Sequence, residues 1–252
     1  MEHLIHFANN IVSLFLAPGM MLALGIAVWG VAYTRSESLA CYARARRMVG
    51  ITFVIYSLAL LAEYFVKSSI AADFATRLVI VAISMSQAYL FTLTLVTLID
   101  VEFLSVRRLR AEAVLPLLAT VAAFTAGTLC PVAWHISIIV AYQVAYALLL
   151  LHYIHLFRRH YAYYEQRMDN YFSDEEQHRL HWVRNSFRWS LGIGVAALVY
   201  SILPCEATSL PFMLAAVSYY TFYGIHFINY AHIFPYVASA LVEPVESTPQ
   251  EQ

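Results

Sequence analysis

Seven long apolar segments run through this 252-residue chain, and the connections between them concentrate basic charge in every second position. About 20 mostly apolar residues are needed for a helix to cross a hydrocarbon layer about 30 Å thick. The sequence therefore predicts an all-α, polytopic membrane bundle. Its seven transmembrane helices fall at Ile11 to Tyr33, Met48 to Phe65, Leu78 to Ile99, Ala113 to Leu129, Ile136 to Phe157, Phe187 to Leu203 and Phe212 to Phe234. Thirteen of the fifteen Lys and Arg residues lie in the first, third and fifth connections. These are Arg35, Arg44, Arg46 and Arg47; Arg107, Arg108 and Arg110; and Arg158, Arg159, Arg167, Arg179, Arg184 and Arg188. Lys67 and Arg77 share the second connection. Basic residues stay on the cytoplasmic side during insertion, so the expected orientation has the N-terminus outside and the C-terminus inside.

Composition agrees. With 61% hydrophobic and 12% charged residues, the chain has about half the charge a soluble domain carries. The first apolar run is too long for a signal-peptide core and no Lys or Arg precedes it, so it is expected to remain as a helix. Residues 1–242 form one membrane domain in this reading, and Glu243 to Gln252, with two prolines and three glutamates, form a disordered polar tail or linker. Pro116 and Gly127 interrupt the fourth segment, although membrane helices tolerate both better than soluble ones do. Pro131 and the stretch from Pro204 to Pro211 punctuate outer turns, and Trp134 suits the interfacial level.

The long cytoplasmic connection, 158–188, is expected to be largely helical. Ser173-Asp174-Glu175-Glu176 is a capping box, with the Ser173 hydroxyl placed to accept from the Glu176 N–H and the Glu176 carboxylate placed to reach back. The sixth helix should start there and continue into the bilayer, while the fifth runs out through His160 towards Asn170. The result is a hairpin with Asp169, Asn170 and Tyr171 at its turn and Arg179, Trp182 and Arg184 presenting contacts. The competing reading is that these residues cap the sixth helix and anchor it to anionic lipid.

Chemistry-bearing residues are sparse within the spans. His152 and His155 share a face of the fifth helix, and His226 and His232 lie near the end of the seventh, but their spacing does not complete a metal or haem site. Glu63 is the clearest ionisable group inside a span; Lys67, four residues on, offers it a surface ion pair as the alternative to a ligand-facing role. Gln87 and Gln143, with Tyr219 and Tyr223 of the seventh helix, are the other ligand-facing candidates. Gln87, Gln143, Asn229, Thr92, Thr94 and Thr97 also read as interhelical hydrogen-bonding groups. The seventh helix has no lysine for a retinal Schiff base. No base and nucleophile cluster at reaction depth, so the expectation is a non-enzymatic protein without metal or cofactor. Cys130 and Cys205 both fall at outer turns and are a candidate disulfide pair.

Four stretches carry a resemblance. They are Ala45-Arg46-Arg47-Met48-Val49-Gly50, Ser86-Gln87-Ala88-Tyr89-Leu90-Phe91-Thr92, the run Met168 to Asp174 with Arg179-Leu180-His181-Trp182-Val183, and Phe227-Ile228-Asn229-Tyr230. Together they resemble the seven-transmembrane sensor region of bacterial membrane-anchored AraC-type helix-turn-helix regulators, most specifically at Asp169 to Asp174. The resemblance implies a sensor and signal transducer in the bacterial inner membrane, with the DNA-binding part attached after the seventh helix. This chain stops at Gln252, so it is not itself expected to contact nucleic acid; a homo-oligomer or a cytoplasmic signalling partner would carry the output. The alternative is a small transporter or channel lined by Gln87, Gln143 and Glu63, which predicts net flux in vesicles; a haem- or metal-binding membrane protein ranks below it.

Overall fold

The computed structural model describes residues 2–30, 40–67, 72–100, 103, 105–171, 181–203 and 206–231. Among them every regular element is helical. The first rod comprises α1 (Glu2–Ile11), a π turn (Val12–Leu16) and α2 (Ala17–Gly30). Then follow α3 (Ala40–Lys67), α4 (Ala72–Ile99), α5 (Val106–Leu129), α6 (His135–Tyr171), α7 (His181–Ile202) and α8 (Glu206–Tyr230).

Among the described residues, five stretches are long and apolar enough to cross a membrane: Phe7–Gly30, Tyr42–Phe65, Phe74–Ile99, Arg107–Leu129 and Val132–Gln166. The protein is a multi-pass membrane helix bundle. Helices α7 and α8, 22 and 25 residues long, match such spans in length but are diluted by polar groups: Arg184, Asn185 and Arg188 in one, four tyrosines and His226 in the other. Most of the α8 polar face is inside the bundle, where apolarity is not required: Tyr219, Tyr220, Tyr223 and Tyr230 are all buried.

Helix α4 is central and packs on α3, α5, α6 and α7, while α8 closes the bundle between α2 and α7. Helix α5 touches only α4 and α6 among its main neighbours and leaves Leu115, Leu117, Leu118 and Val121 exposed, a lipid-facing surface. The helices alternate in direction. At one end Tyr42 of α3 donates to the Phe227 carbonyl of α8 at 2.8 Å, His160 of α6 meets Asp100 beyond α4 at 3.0 Å, and Trp182 of α7 lies against Tyr230. At the other, Arg77 of α4 donates to the Ile202 carbonyl at the end of α7 at 2.8 Å, and Phe74 stacks on His135 of α6.

The first of these ends carries Arg44, Arg46 and Arg47 of α3, Arg107, Arg108 and Arg110 of α5, and Arg184 and Arg188 of α7, all near helix N-termini. Cations there oppose the helix dipole. Helix stability therefore does not explain the pattern, whereas charge retention on one membrane face does.

Several boundaries differ from the sequence expectation. Helix α3 begins at Ala40 and α4 at Ala72, because the polar first turns of both continue the helix outside the apolar window. Helix α5 is continuous despite Pro116 and Gly127. The Thr120 hydroxyl donates to the Pro116 carbonyl at 2.7 Å, and Gly127 makes room for the Phe74 ring. Pro211 lies inside α8 and does not punctuate a turn. The π turn ends at Leu16, directly before Ala17-Pro18, and the missing N–H of Pro18 removes one rung of the α-helical ladder. The Pro18 carbonyl in turn accepts the Ser57 hydroxyl of α3 at 2.8 Å. The run-out of α6 to Tyr171 agrees with expectation. The capping box, Arg179 and the 243–252 tail lie outside the described residues.

Candidate functional site

Helix α8 builds one wall of the interior. Tyr219, Tyr220, Tyr223, Phe227 and Tyr230 recur at helical spacing and all are buried. Phe91 stacks on Tyr220 with centroids 4.8 Å apart and meets Tyr223 edge-on at 5.1 Å. Tyr42 stacks on Phe227, and Tyr56 meets Tyr220 edge-on at 5.1 Å. Such offset and T-shaped pairs are favoured by the ring quadrupole. The tyrosine hydroxyls need partners in this setting: Tyr219 donates to the Ser186 carbonyl of α7 at 2.9 Å.

Beside this wall lies a cavity of about 20 Å³ between α4, α6, α7 and α8. Its lining is rich in hydroxyls and amide: Ser84, Gln87, Thr92, Tyr146, Tyr153, Ser190 and Tyr220. That volume is about one water molecule by the same measure. Tyr146 of α6 donates to the Gly194 carbonyl of α7 at 3.0 Å, and Ser84 donates to its own helix at Ile80. Gln87 Nε2 and Tyr153 Oη are buried on the wall without a protein hydrogen-bond partner.

A second concavity, about 160 Å³, opens between α3 and α4 and is lined by Thr52, Ile55, Tyr56, Ala59, Ala82, Ile83, Ser86, Gln87 and Leu90. Ile55 and Ser86 are exposed on the outer face of the bundle. Gln87 belongs to the linings of both the outer groove and the central cavity. The Tyr56 hydroxyl faces that amide, and Glu63, two turns further along the same face of α3, acts electrostatically on Tyr56.

Of the five ligand-facing candidates, only Gln87 lines the cavity. Glu63 is 5% exposed and turned inward on the Tyr56 and Leu60 face, so it is not a surface group; the Lys67 side chain of the expected ion pair lies outside the described residues. Gln143 of α6 instead bridges to Ser201 of α7 at 3.1 Å. Tyr219 is held by Ser186, and Tyr223 is fully buried among rings. The Thr94 and Thr97 hydroxyls donate to the Leu90 and Leu93 carbonyls of α4 at 2.7 Å each. Asn229 is exposed. The signal that pointed to Tyr220, Tyr146 and Tyr153 was present in the tyrosine spacing, but the abundance of tyrosine obscured it.

At the basic end, Trp182 is also corrected. It packs inward on Tyr223, His226 and Tyr230 of α8, because the first turn of α7 lies against the last turns of α8. Arg184 reaches back to Glu165 of α6 at 3.4 Å. His152 pairs with Glu112 of α5 at 3.0 Å. The backbone of α6 includes Asp169, Asn170 and Tyr171, whereas Ser173, Asp174, Glu176 and Arg179 lie outside the described residues. Cys130 is exposed at the end of α5, and Cys205 lies outside the described residues. Comparison with protein-family models, curated proteins and solved structures found no match to this chain.

Proposed function

We propose that the chain is the membrane-embedded sensing and signal-transmitting part of a bacterial transcriptional regulator. It crosses the inner membrane seven times, with α7 and α8 as the last two spans, its N-terminus outside and its basic end in the cytoplasm. The observation that carries this reading is the single 37-residue helix α6. At 1.5 Å per residue it is about 55 Å long and exceeds the hydrocarbon thickness by roughly 25 Å. Tyr146, Leu150 and Tyr153 on this helix line the central cavity, and the same rigid element continues through Arg158 to Tyr171. A change at the cavity is thereby linked mechanically to the far end of α6.

A stimulus acts by its difference in affinity between two arrangements of the bundle. The lipid-facing groove that ends on Gln87 provides its route, and the Gln87 and Tyr56 polar groups provide its anchoring. The output leaves through the 169–173 segment to a cytoplasmic signalling partner, while the sequence resemblance implies a DNA-binding part attached after the seventh helix.

The test replaces Asp169 to Ser173 with a glycine-serine segment of equal length in the host cell, with transcripts measured genome-wide. Transcriptional responses that depend on the wild-type protein should disappear while the amount in the membrane stays the same. If every response persists with the variant correctly inserted, the sensor reading fails.

A further inference from the structure

A third concavity, about 480 Å³, lies between α6 and α7 at the basic end. Its two walls are matched helix faces. Arg158, Tyr161, Ala162 and Glu165 recur at i, i+3, i+4 and i+7 on α6, and Arg184, Phe187, Arg188 and Leu191 repeat that spacing on α7. Phe157 and Phe187 stack at 3.8 Å across the floor.

The polarity of this groove has a direction. Helix α6 runs from Ile154 outward to Arg158 and Glu165, and α7 runs inward from Arg184 through Arg188 to Leu191. Apolar side chains thus occupy its deep end and guanidinium groups its mouth. Three arginines face one carboxylate, Glu165, which is engaged by Arg184. Arg158 and Arg188 are exposed, and no carboxylate among the described residues lies within ion-pair reach of either. Arg184 Nε is buried without a hydrogen-bond partner, and its guanidinium lies over the Tyr161 ring at 5.8 Å.

We infer that this groove binds an anionic phospholipid, with the phosphate held by Arg158 and Arg188 and the acyl chain along Ile154 and Leu191. A phospholipid has the same apolar-to-anionic sequence along the membrane normal. Guanidinium groups bind phosphate oxygens in bidentate fashion, and long basic side chains at the headgroup level keep their charged ends in the polar layer. The two excess positive charges exclude a zwitterionic headgroup as the best partner. This inference does not depend on the sensor reading, because lipid occupancy is measured without any signalling output.

The experiment is native mass spectrometry of the full chain released from detergent supplemented with equal phosphatidylglycerol and phosphatidylcholine. Wild type should retain phosphatidylglycerol in roughly ten- to thirtyfold preference, on the basis of the attraction near the surface of two basic residues. The R158Q/R188Q double variant should lose most of that preference, R158K/R188K should keep a large part of it, and R107Q/R110Q, which alters another connection, should behave as wild type. Equal retention of both lipids by wild type, or an unchanged preference in R158Q/R188Q, overturns the assignment. So does displacement of the lipid by glycerol phosphate or inorganic phosphate at equal concentration, which would make the groove a soluble-anion site.

Discussion

Replacing Phe53 with alanine is expected to destabilise the bundle by roughly 3–5 kcal/mol, the cost of removing a large aromatic side chain from a close-packed interior. Phe53 of α3 is fully buried and touches three other helices. It meets Phe91 of α4 edge-on at 5.8 Å, and Tyr220 and Tyr223 of α8 at 6.3 and 6.4 Å. Its Cβ also lies 3.4 Å from where a side chain on Gly25 of α2 would begin. Lipid tails are as apolar as the interior, so the loss is one of packing and not of water exclusion. Equilibrium unfolding in mixed micelles measures it. Leu117→Ala, on the exposed face of α5, should change stability by no more than about 0.5 kcal/mol. Similar small effects for both variants would show that the Phe53 cluster is not the packing centre.

Gly25→Leu is the second large effect. A Cβ at Gly25 would lie 3.1 Å from Val54 Cγ2 and 3.2 Å from the Gly50 carbonyl oxygen of α3. The second of these is backbone and cannot swing aside, so a leucine must push α2 off α3. Overpacking of this kind costs about 1–3 kcal/mol or more. Close approach through small residues is the general means by which membrane helices associate. Gly19 of the same helix has nothing within 4 Å of its Cβ position. Gly19→Ala should therefore be neutral or stabilising by up to about 1 kcal/mol. Cysteine crosslinking between α2 and α3 would report the separation directly, with reduced yield in Gly25→Leu and normal yield in Gly19→Ala. Equal yields would rule out the proposed contact.

Much of the architecture was legible in the chain, and the exceptions share a cause. Apolar windows located a helix in each expected segment, because lipid contact imposes a composition that needs no partner to be read. The polar ends were misjudged: α3 from Ala40 and α4 from Ala72 extend as helix through residues that are not apolar. The inward side of each helix was harder to assign, since both lipid and interior accept apolar side chains. Glu63 shows this well. Its distance of four residues to Lys67 suggested the surface, yet its burial follows from the rotation of α3 about its axis, which only packing against neighbours determines. Trp182 was read outward for the same reason. Gln87 stood out in the sequence as a polar group inside a span, but that it lines two cavities required the positions of α3, α6 and α7.

In the proposed mechanism the bundle has two arrangements, in which α6 takes different positions relative to α8 at the basic end. Tyr163 of α6 and Ile225 of α8 are both exposed there. After replacement of Cys41, Cys130 and Cys205 by serine, spin labels at Y163C and I225C in nanodiscs report the distance between the two helices by pulsed electron paramagnetic resonance. Two distance populations are expected, with a ratio that changes in Gln87→Leu, because that substitution alters the cavity wall and leaves the labelled positions untouched. A single narrow distance, identical in wild type and Gln87→Leu, would contradict the mechanism.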